Sequence, residues 1–337
     1  MRKKCFIIAE LSANHNGDIE IAKESIMAAK NAGADAVKIQ TYTADTITLD
    51  CKSDDFQVKG GTIWDGKYLY NLYQEGSLPW EWHKELFDLA KDLDLVCFSS
   101  PFDFSAVDFL ETLNCPIYKI ASFEITDIPL IEYVARKQKP VIISTGVATY
   151  DDIKLAIETC KNVGNNDITI LKCTSSYPAP IDEVNLALMK KFAHDFDVKI
   201  GLSDHTIGNL VPILSIAYGA TMIEKHFKLN DQVGGPDASF SLNQEEFKKM
   251  VNDIRKAEKA IGEIDYCLTE KQKKGKDYSR SLYIIKNVKK GDVLSSENIR
   301  SIRPGFGMHP KHYKKVLGKH FVNDYEKGTR LSFKHIK

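Results

Sequence analysis

The sequence lacks any run of about 20 apolar residues, so no segment reads as a membrane-spanning helix. It lacks cysteine pairs. Seven cysteines stand singly at 5, 51, 97, 115, 160, 173 and 267, with no C-x-x-C. An odd, scattered set excludes a disulfide framework and a cysteine-based zinc site; most sit in apolar runs and read as small buried hydrophobes. No G-x-G-x-x-G follows the first strand-like run; Glu10-Leu11-Ser12-Ala13-Asn14-His15-Asn16-Gly17 stands there, which argues against a dinucleotide fold. No His-x-His occurs, which argues against a metal-barrel hydrolase. Net charge is absent too: 46 Lys plus Arg balance 46 Asp plus Glu, which disfavours a globally basic nucleic-acid binder. Arg2, Lys3 and Lys4 open the chain as a signal peptide would, but the apolar run 5–9 is short and Glu10 ends it. The expected location is the cytoplasm, with no nucleic acid and no membrane as partner.

What is present suffices for a large folded body. The 337 residues are 43% hydrophobic and 27% charged, which excludes disorder as the main state. The zero charge hides an asymmetry: residues 279–337 carry 14 basic against 4 acidic side chains, leaving 32 basic and 42 acidic in the rest. A basic tail on an acidic body can bind nucleic acid, cover an anionic site, or dock on an acidic surface of its own or a partner chain.

The first 225 or so residues alternate β-rich runs with amphipathic segments. The runs are 5–9, 36–40, 95–99, 117–121, 141–145, 168–173, 198–203 and 221–226. Helical spacing recurs between them, and a last long helix is expected over 244–261. Eight strand–helix units predict an α/β fold, a (β/α)8 TIM barrel, over residues 1–262. A polar, Lys-rich linker is expected at 263–278 and a small module at 279–337, with β runs at 281–285 and 330–333. The long insertion 41–79 shows no clear helix and reads as a lid or specificity loop on the C-terminal face.

Chemistry on such a barrel sits where the strands end. Lys38 and Lys119 fall on different strands, and with Ser100, Ser122, Ser144 and Ser203 they predict a cationic, hydroxyl-lined pocket for a phosphate, or a phosphate plus a carboxylate. The alternative is that both lysines pair with Glu10, Glu124 or Glu224 inside the barrel. His205 and His226 end neighbouring strands; alternation puts His226 on the face of Glu224 and His205 on that of Ser203. They read equally as a divalent-metal site with open positions or as a metal-free hydrogen-bonded pair. His83 and His194 read as structural, His309 and His312 as exposed, and Arg303, in the turn 303–307, as one more surface arginine unless it reaches a ligand.

Several motifs in this order resemble one family. They are Ile8-Ala9-Glu10 with Asn14-His15-Asn16-Gly17, Lys38-Ile39-Gln40-Thr41, Lys119-Ile120-Ala121-Ser122, Ser144-Thr145-Gly146, Cys173-Thr174-Ser175-Ser176-Tyr177-Pro178, Ser203-Asp204-His205-Thr206 and Ile223-Glu224-Lys225-His226-Phe227. Together they resemble the sialic acid synthase family, and the tail is similar to that family's antifreeze-like (SAF) domain. Trp64-Asp65-Gly66, Pro79-Trp80-Glu81-Trp82-His83 and Gly235-Pro236-Asp237-Ala238 look like its pseudaminic acid branch.

The resemblance implies condensation of phosphoenolpyruvate with an N-acetylated amino sugar and water, with cleavage of the enolpyruvate C–O bond. By the same implication Lys38, Ser100, Ser122, Ser144 and Ser203 hold the phosphate, and Lys119 with Ser175 holds the carboxylate. His205 and His226 bind a divalent metal, Mn2+ in the first place, with Mg2+ or Co2+ as alternatives. Gln40, Tyr177 and Asp237 face the sugar. Glu10, Glu124 and Glu224 complete the catalytic set, with Glu10 near the metal and the sugar. Arg303 reaches in from the partner subunit of a domain-swapped homodimer. Ser175 is shorter than the asparagine some members have there, and Ser100 replaces a threonine at no cost to the hydroxyl. A neuraminate or legionaminate acceptor is the same-class alternative, and a non-catalytic carbohydrate- or ice-binding protein the different-class one.

Overall fold

The computed structural model describes residues 4–337, so Arg2 and Lys3 of the basic start lie outside the described residues. Eight parallel strands close into a barrel in sequence order. They are β1 (Phe6–Glu10), β2 (Ala36–Thr41), β3 (Val96–Pro101), β4 (Tyr118–Ile120), β5 (Val141–Ser144), β6 (Ile168–Cys173), β7 (Lys199–Asp204) and β8 (Met222–His226). Strands of this kind are covered on both faces, which explains why β5 and β6 are buried throughout.

The helices bury apolar stripes, and several start on polar caps. Helix Gln244–Ile261 shows the pattern: Asn243 and Glu246 form a capping box, and Phe247, Met250, Val251 and Ile254 are its buried face. Asp18, Asp103, Asp127 and Thr149 cap other helices through their side chains.

Three details differ from the sequence reading. The insertion 41–79 contains helix Leu69–Gly76 and a single turn at Ala44–Ile47. Leu69, Leu72 and Tyr73 keep helical spacing, but they face a cavity, and Gly- and Asp-rich flanks mask so short a pattern. The helix expected over 184–193 starts only at Leu188. In the tail, 281–285 holds strand β9 (Ser281–Ile284), paired antiparallel with β10 (Ile299–Ile302), whereas 330–333 contributes a single bridge from Arg330 to Tyr283.

The chain divides into two compact units, one ending at Gly262 and one starting at Glu263. The second has its own core of Leu282, Ile284, Val288, Leu294, Ile299, Met308, Val316, Phe321 and Leu331. All seven cysteines are free. Among the described residues no helix is long and apolar enough to cross a membrane.

Candidate active site

Strand register stacks the polar residues at one end of the barrel. Glu10 lies opposite Lys38 on β2 and opposite His226 on β8. Gln40 lies opposite Ser100, and Ser203 opposite Glu224. Neighbouring parallel strands point register partners to the same side, so these side chains meet inside the barrel mouth.

A cavity of about 420 Å³ opens there. Its floor holds Glu10, Lys38, Lys119, Ser144, Ser203 and Glu224; around them stand Gln40, Ser122, Glu124, Tyr177, His205, His226 and Asp237. Ser100 and Ser175 are not among its lining side chains. Ser100 lies beneath, with its hydroxyl 3.2 Å from Lys38 Nζ. Ser175 and Ser122 converge on Gly146: a Cβ there would meet their hydroxyl oxygens at 2.0 and 2.8 Å, so the position has room only for glycine. Arg303 is exposed and belongs to the second unit.

Both lysines are paired, as the alternative reading held. Lys38 Nζ lies 2.5 Å from Glu10 Oε2 and 3.9 Å from Glu224 Oε1; Lys119 Nζ lies 3.2 Å from Glu224 Oε1. The Ser203 hydroxyl donates to the same Glu224 oxygen at 3.3 Å. Glu224 Oε2 has no hydrogen-bond partner among the described residues. Two lysines and two carboxylates balance in charge, yet each group is buried. Burial pulls Lys119 down, and Lys38 beside it adds to that against the pull of Glu224. Burial also pulls on Lys38, but Glu10 and Glu224 outweigh it and hold Lys38 up. Burial raises Glu10 against the pull of Lys38. Burial likewise opposes ionisation of Glu224, but Lys119 and Lys38 overcome it and the net direction is down. Glu124 has no such partner, and burial pushes its carboxyl up to about 7.

The two imidazoles stand with ring centroids 5.2 Å apart. His205 Nδ1 is 2.9 Å from the Thr174 carbonyl oxygen, so Nδ1 carries the proton that is donated there; burial opposes a second proton on the ring, but Cys173 and the Thr174 carbonyl outweigh it and the net direction is up. His226 Nδ1 is buried with no hydrogen-bond partner among the described residues, and lies 3.8 Å from Asp237 Oδ2. Burial, then repulsion by His205 and Lys38, holds His226 in its neutral, ligating form. Among the described residues no group of three His, Cys, Asp or Glu side chains is gathered to hold a metal. The buried, unpartnered His226 Nδ1 beside the His205 ring would offer a divalent ion two protein nitrogens, with its other positions left to water or substrate. Behind the pair, Lys225 and Asp204 are register partners on the outer face, 2.6 Å apart and fully buried, and fix the ends of β7 and β8.

The roof comes from the insertion. Trp64 donates its indole N–H to Pro236 O at 3.2 Å and lies 5.5 Å from the Tyr177 ring. Ile47, Val58, Leu72, Tyr73 and Phe102 make the adjoining wall apolar. Sequence reasoning passed over Ser12, Tyr73, Phe102 and Phe240. Ser12 lies past the end of β1 at a left-handed φ, so strand alternation does not reach it. Phe102 and Phe240 lie on loops, where no periodicity points inward, and Tyr73 lies on a helix too short for its spacing to stand out.

The NeuB family model matches residues 25–266, and the SAF domain model matches residues 279–337. Over 332 residues the chain is 51% identical to the pseudaminic acid synthase of Helicobacter pylori, covering 98% of this chain and 97% of that one. Over 346 residues it is 37% identical to the N,N'-diacetyllegionaminic acid synthase of Legionella pneumophila, covering 99% and 95%. The crystal structure of an N-acetylneuraminic acid synthetase from Leptospira borgpetersenii matches with a TM-score of 0.73 at 27% identity, over 81% of this chain and 90% of that one. The family model, the near-full-length relatives and the barrel with its charged mouth agree: the chain belongs to the NeuB family and ends in a SAF domain.

Proposed function

We propose that this chain condenses phosphoenolpyruvate with 2,4-diacetamido-2,4,6-trideoxy-L-altrose and water to give pseudaminic acid and phosphate. Carbon 3 of the enolpyruvate bonds to the sugar's aldehyde carbon, the carbonyl oxygen takes up a proton, water adds at carbon 2, and phosphate leaves with its bridging oxygen's C–O bond broken. The observation that carries this reading is the pair of buried lysines on the floor of one cavity with two imidazoles standing beside them. Glu10 and Glu224 hold these ammonium groups in place but do not use all three donors of each, and phosphoenolpyruvate brings a phosphate and a carboxylate to accept from the rest. The acceptor is chosen on the 51% identity to a pseudaminic acid synthase against 37% to a legionaminic acid synthase.

In this reading Lys38, Ser100, Ser122, Ser144 and Ser203 receive the phosphate, and Lys119 with Ser175 the carboxylate. Gln40, Tyr177 and Asp237 hold the sugar. A divalent ion on His205 and His226, proposed as Mn2+ with Mg2+ or Co2+ as alternatives, supplies Lewis-acid polarisation of the aldehyde. Glu10, Glu124 and Glu224 handle protons; Glu124, held up to about 7 by burial, is suited to give or take one near neutrality. Placing both substrates over one floor removes much of the entropic barrier. Residues 1–262 form the catalytic domain, 263–278 the linker and 279–337 the SAF domain, which in a domain-swapped homodimer brings Arg303 to the partner's acceptor. The proposed location is the cytoplasm.

The test is phosphate release from phosphoenolpyruvate with Mn2+, run with the altrose, with the legionaminate precursor and with N-acetylmannosamine. Release with the altrose alone is expected. Release only with another acceptor moves the branch, and no release with any of them refutes the synthase reading.

A further inference from the structure

Ser12 sits at φ +43°, in the left-handed region that glycine enters without steric cost. It is 7% exposed and lines the cavity. A serine kept in such a conformation calls for a role for its hydroxyl. That hydroxyl has one proton, and it is donated to Asp237 Oδ2 in a short hydrogen bond. Ser12 Oγ is therefore an acceptor toward its other neighbour, Gln40 Nε2, at 3.0 Å. The same Nε2 also donates to Glu10 Oε1 at 3.2 Å. Both partners of the Gln40 nitrogen accept, so the amide has one satisfied orientation, and Oε1 is the atom it keeps for a ligand.

We propose that Ser12 is a positioning residue for the acceptor sugar. By bridging Gln40 and Asp237 it makes the adjoining wall present two hydrogen-bond acceptors, the Gln40 carbonyl oxygen and the Asp237 carboxylate. Such a wall selects a ligand that donates from neighbouring groups, hydroxyl or acetamido N–H. This rests on the synthase reading given above.

The loops that carry Ser12 and Asp237 are held together without the hydroxyl. Asn14 Nδ2 donates to Phe227 O at 2.9 Å and to Ser241 Oγ at 2.8 Å, and Ser241 Oγ donates to Asp237 O at 2.6 Å. A Cβ on Gly235 would lie 3.0 Å from Ala13 O, so the two loops are in close contact. Removing the Ser12 hydroxyl thus frees the Gln40 amide and one Asp237 oxygen while leaving the loops in place.

The experiment compares wild type, S12G and S12A by phosphate release at varied acceptor and varied phosphoenolpyruvate, with Tm measured alongside. S12G removes the hydroxyl and also the backbone strain; S12A removes the hydroxyl alone. The expected result is an acceptor KM raised about tenfold in both, the phosphoenolpyruvate KM and kcat within twofold of wild type, and a Tm for S12G no lower than wild type. An S12G acceptor KM within twofold of wild type overturns the proposal. So does a rise in both KM values together with a fallen Tm in S12G, which marks a purely structural residue. If wild type itself releases no phosphate with any acceptor, the synthase reading falls, and the positioning role falls with it.

Discussion

The two compact units handle charge in opposite ways. In residues 279–337, 17 of the 18 charged side chains, 14 basic and 4 acidic, are exposed and Lys319 is half-buried, while the core beneath them is an apolar cluster. The barrel buries Glu10, Lys38, Lys119, Asp204, Glu224, Lys225 and Asp237. A solvated charge costs little and contributes little; a buried one must be met by a partner or by a ligand. The difference teaches where to look for chemistry. In the SAF domain charge makes a surface, and in the barrel it makes a site.

Removing residues 278–337 is expected to have the largest effect. The barrel has its own continuous apolar core, so the remaining chain should keep a folded far-UV CD signature while phosphate release drops below detection. A fully active truncated chain would break the proposed division of labour. Next comes Lys119→Met, which removes one mouth cation and leaves Glu224 with a single close donor, Ser203. The expected loss is about 10³-fold in kcat/KM for phosphoenolpyruvate. Retention of a tenth or more of the activity would mean that the mouth lysines serve the ion-pair layer alone.

A smaller effect is expected in stability at Glu124. Burial raises this carboxyl from its ordinary 4.5 to about 7, so the folded chain binds its proton more tightly than the unfolded chain does. Stability linked to that proton is full below pH 4.5 and is lost as pH rises through 7. Glu124→Gln has no charge to bury, so its Tm should gain on wild type as pH goes from 5 to 8. The advantage should approach roughly 2–3 kcal/mol at the upper end. A pH-independent Tm difference would show that the carboxyl stays ionised when buried. The smallest effect is expected in the SAF domain. Lys289→Ala deletes an exposed pair with Asp324, 2.8 Å apart, and should leave Tm within experimental scatter at every pH. A clear drop there would erase the contrast between the two units.

The barrel was legible because its strands are near-continuous apolar runs ended by polar residues, as β5 with Ser144 and β8 with Glu224 and His226. Alternation along those strands brought Lys38, Glu224 and both histidines to one mouth before any distance was known. What stayed hidden depends on contacts between loops. The helix Leu69–Gly76 turns its half-buried apolar residues toward a cavity over only two turns, so its pattern is too short to stand out. Ser12 looks like any loop serine until Gln40 and Asp237 are found on either side of it. That Lys38 and Lys119 are shared between Glu10 and Glu224 likewise needs coordinates, since sequence offers several carboxylates at equal rank.

The indole hydrogen bond from Trp64 to Pro236 has an optical consequence. The chain has three tryptophans. Trp80 is stacked on Phe109 and Trp82 meets His15 edge-on, both at the head of the helix Trp80–Asp92. Trp64 alone lines the cavity, beside Tyr177. The protein therefore carries an intrinsic fluorophore at the roof of its own mouth. With Trp80 and Trp82 replaced by phenylalanine, the remaining emission would come from that roof, and its colour and quenching would follow the arrival and departure of the sugar in real time.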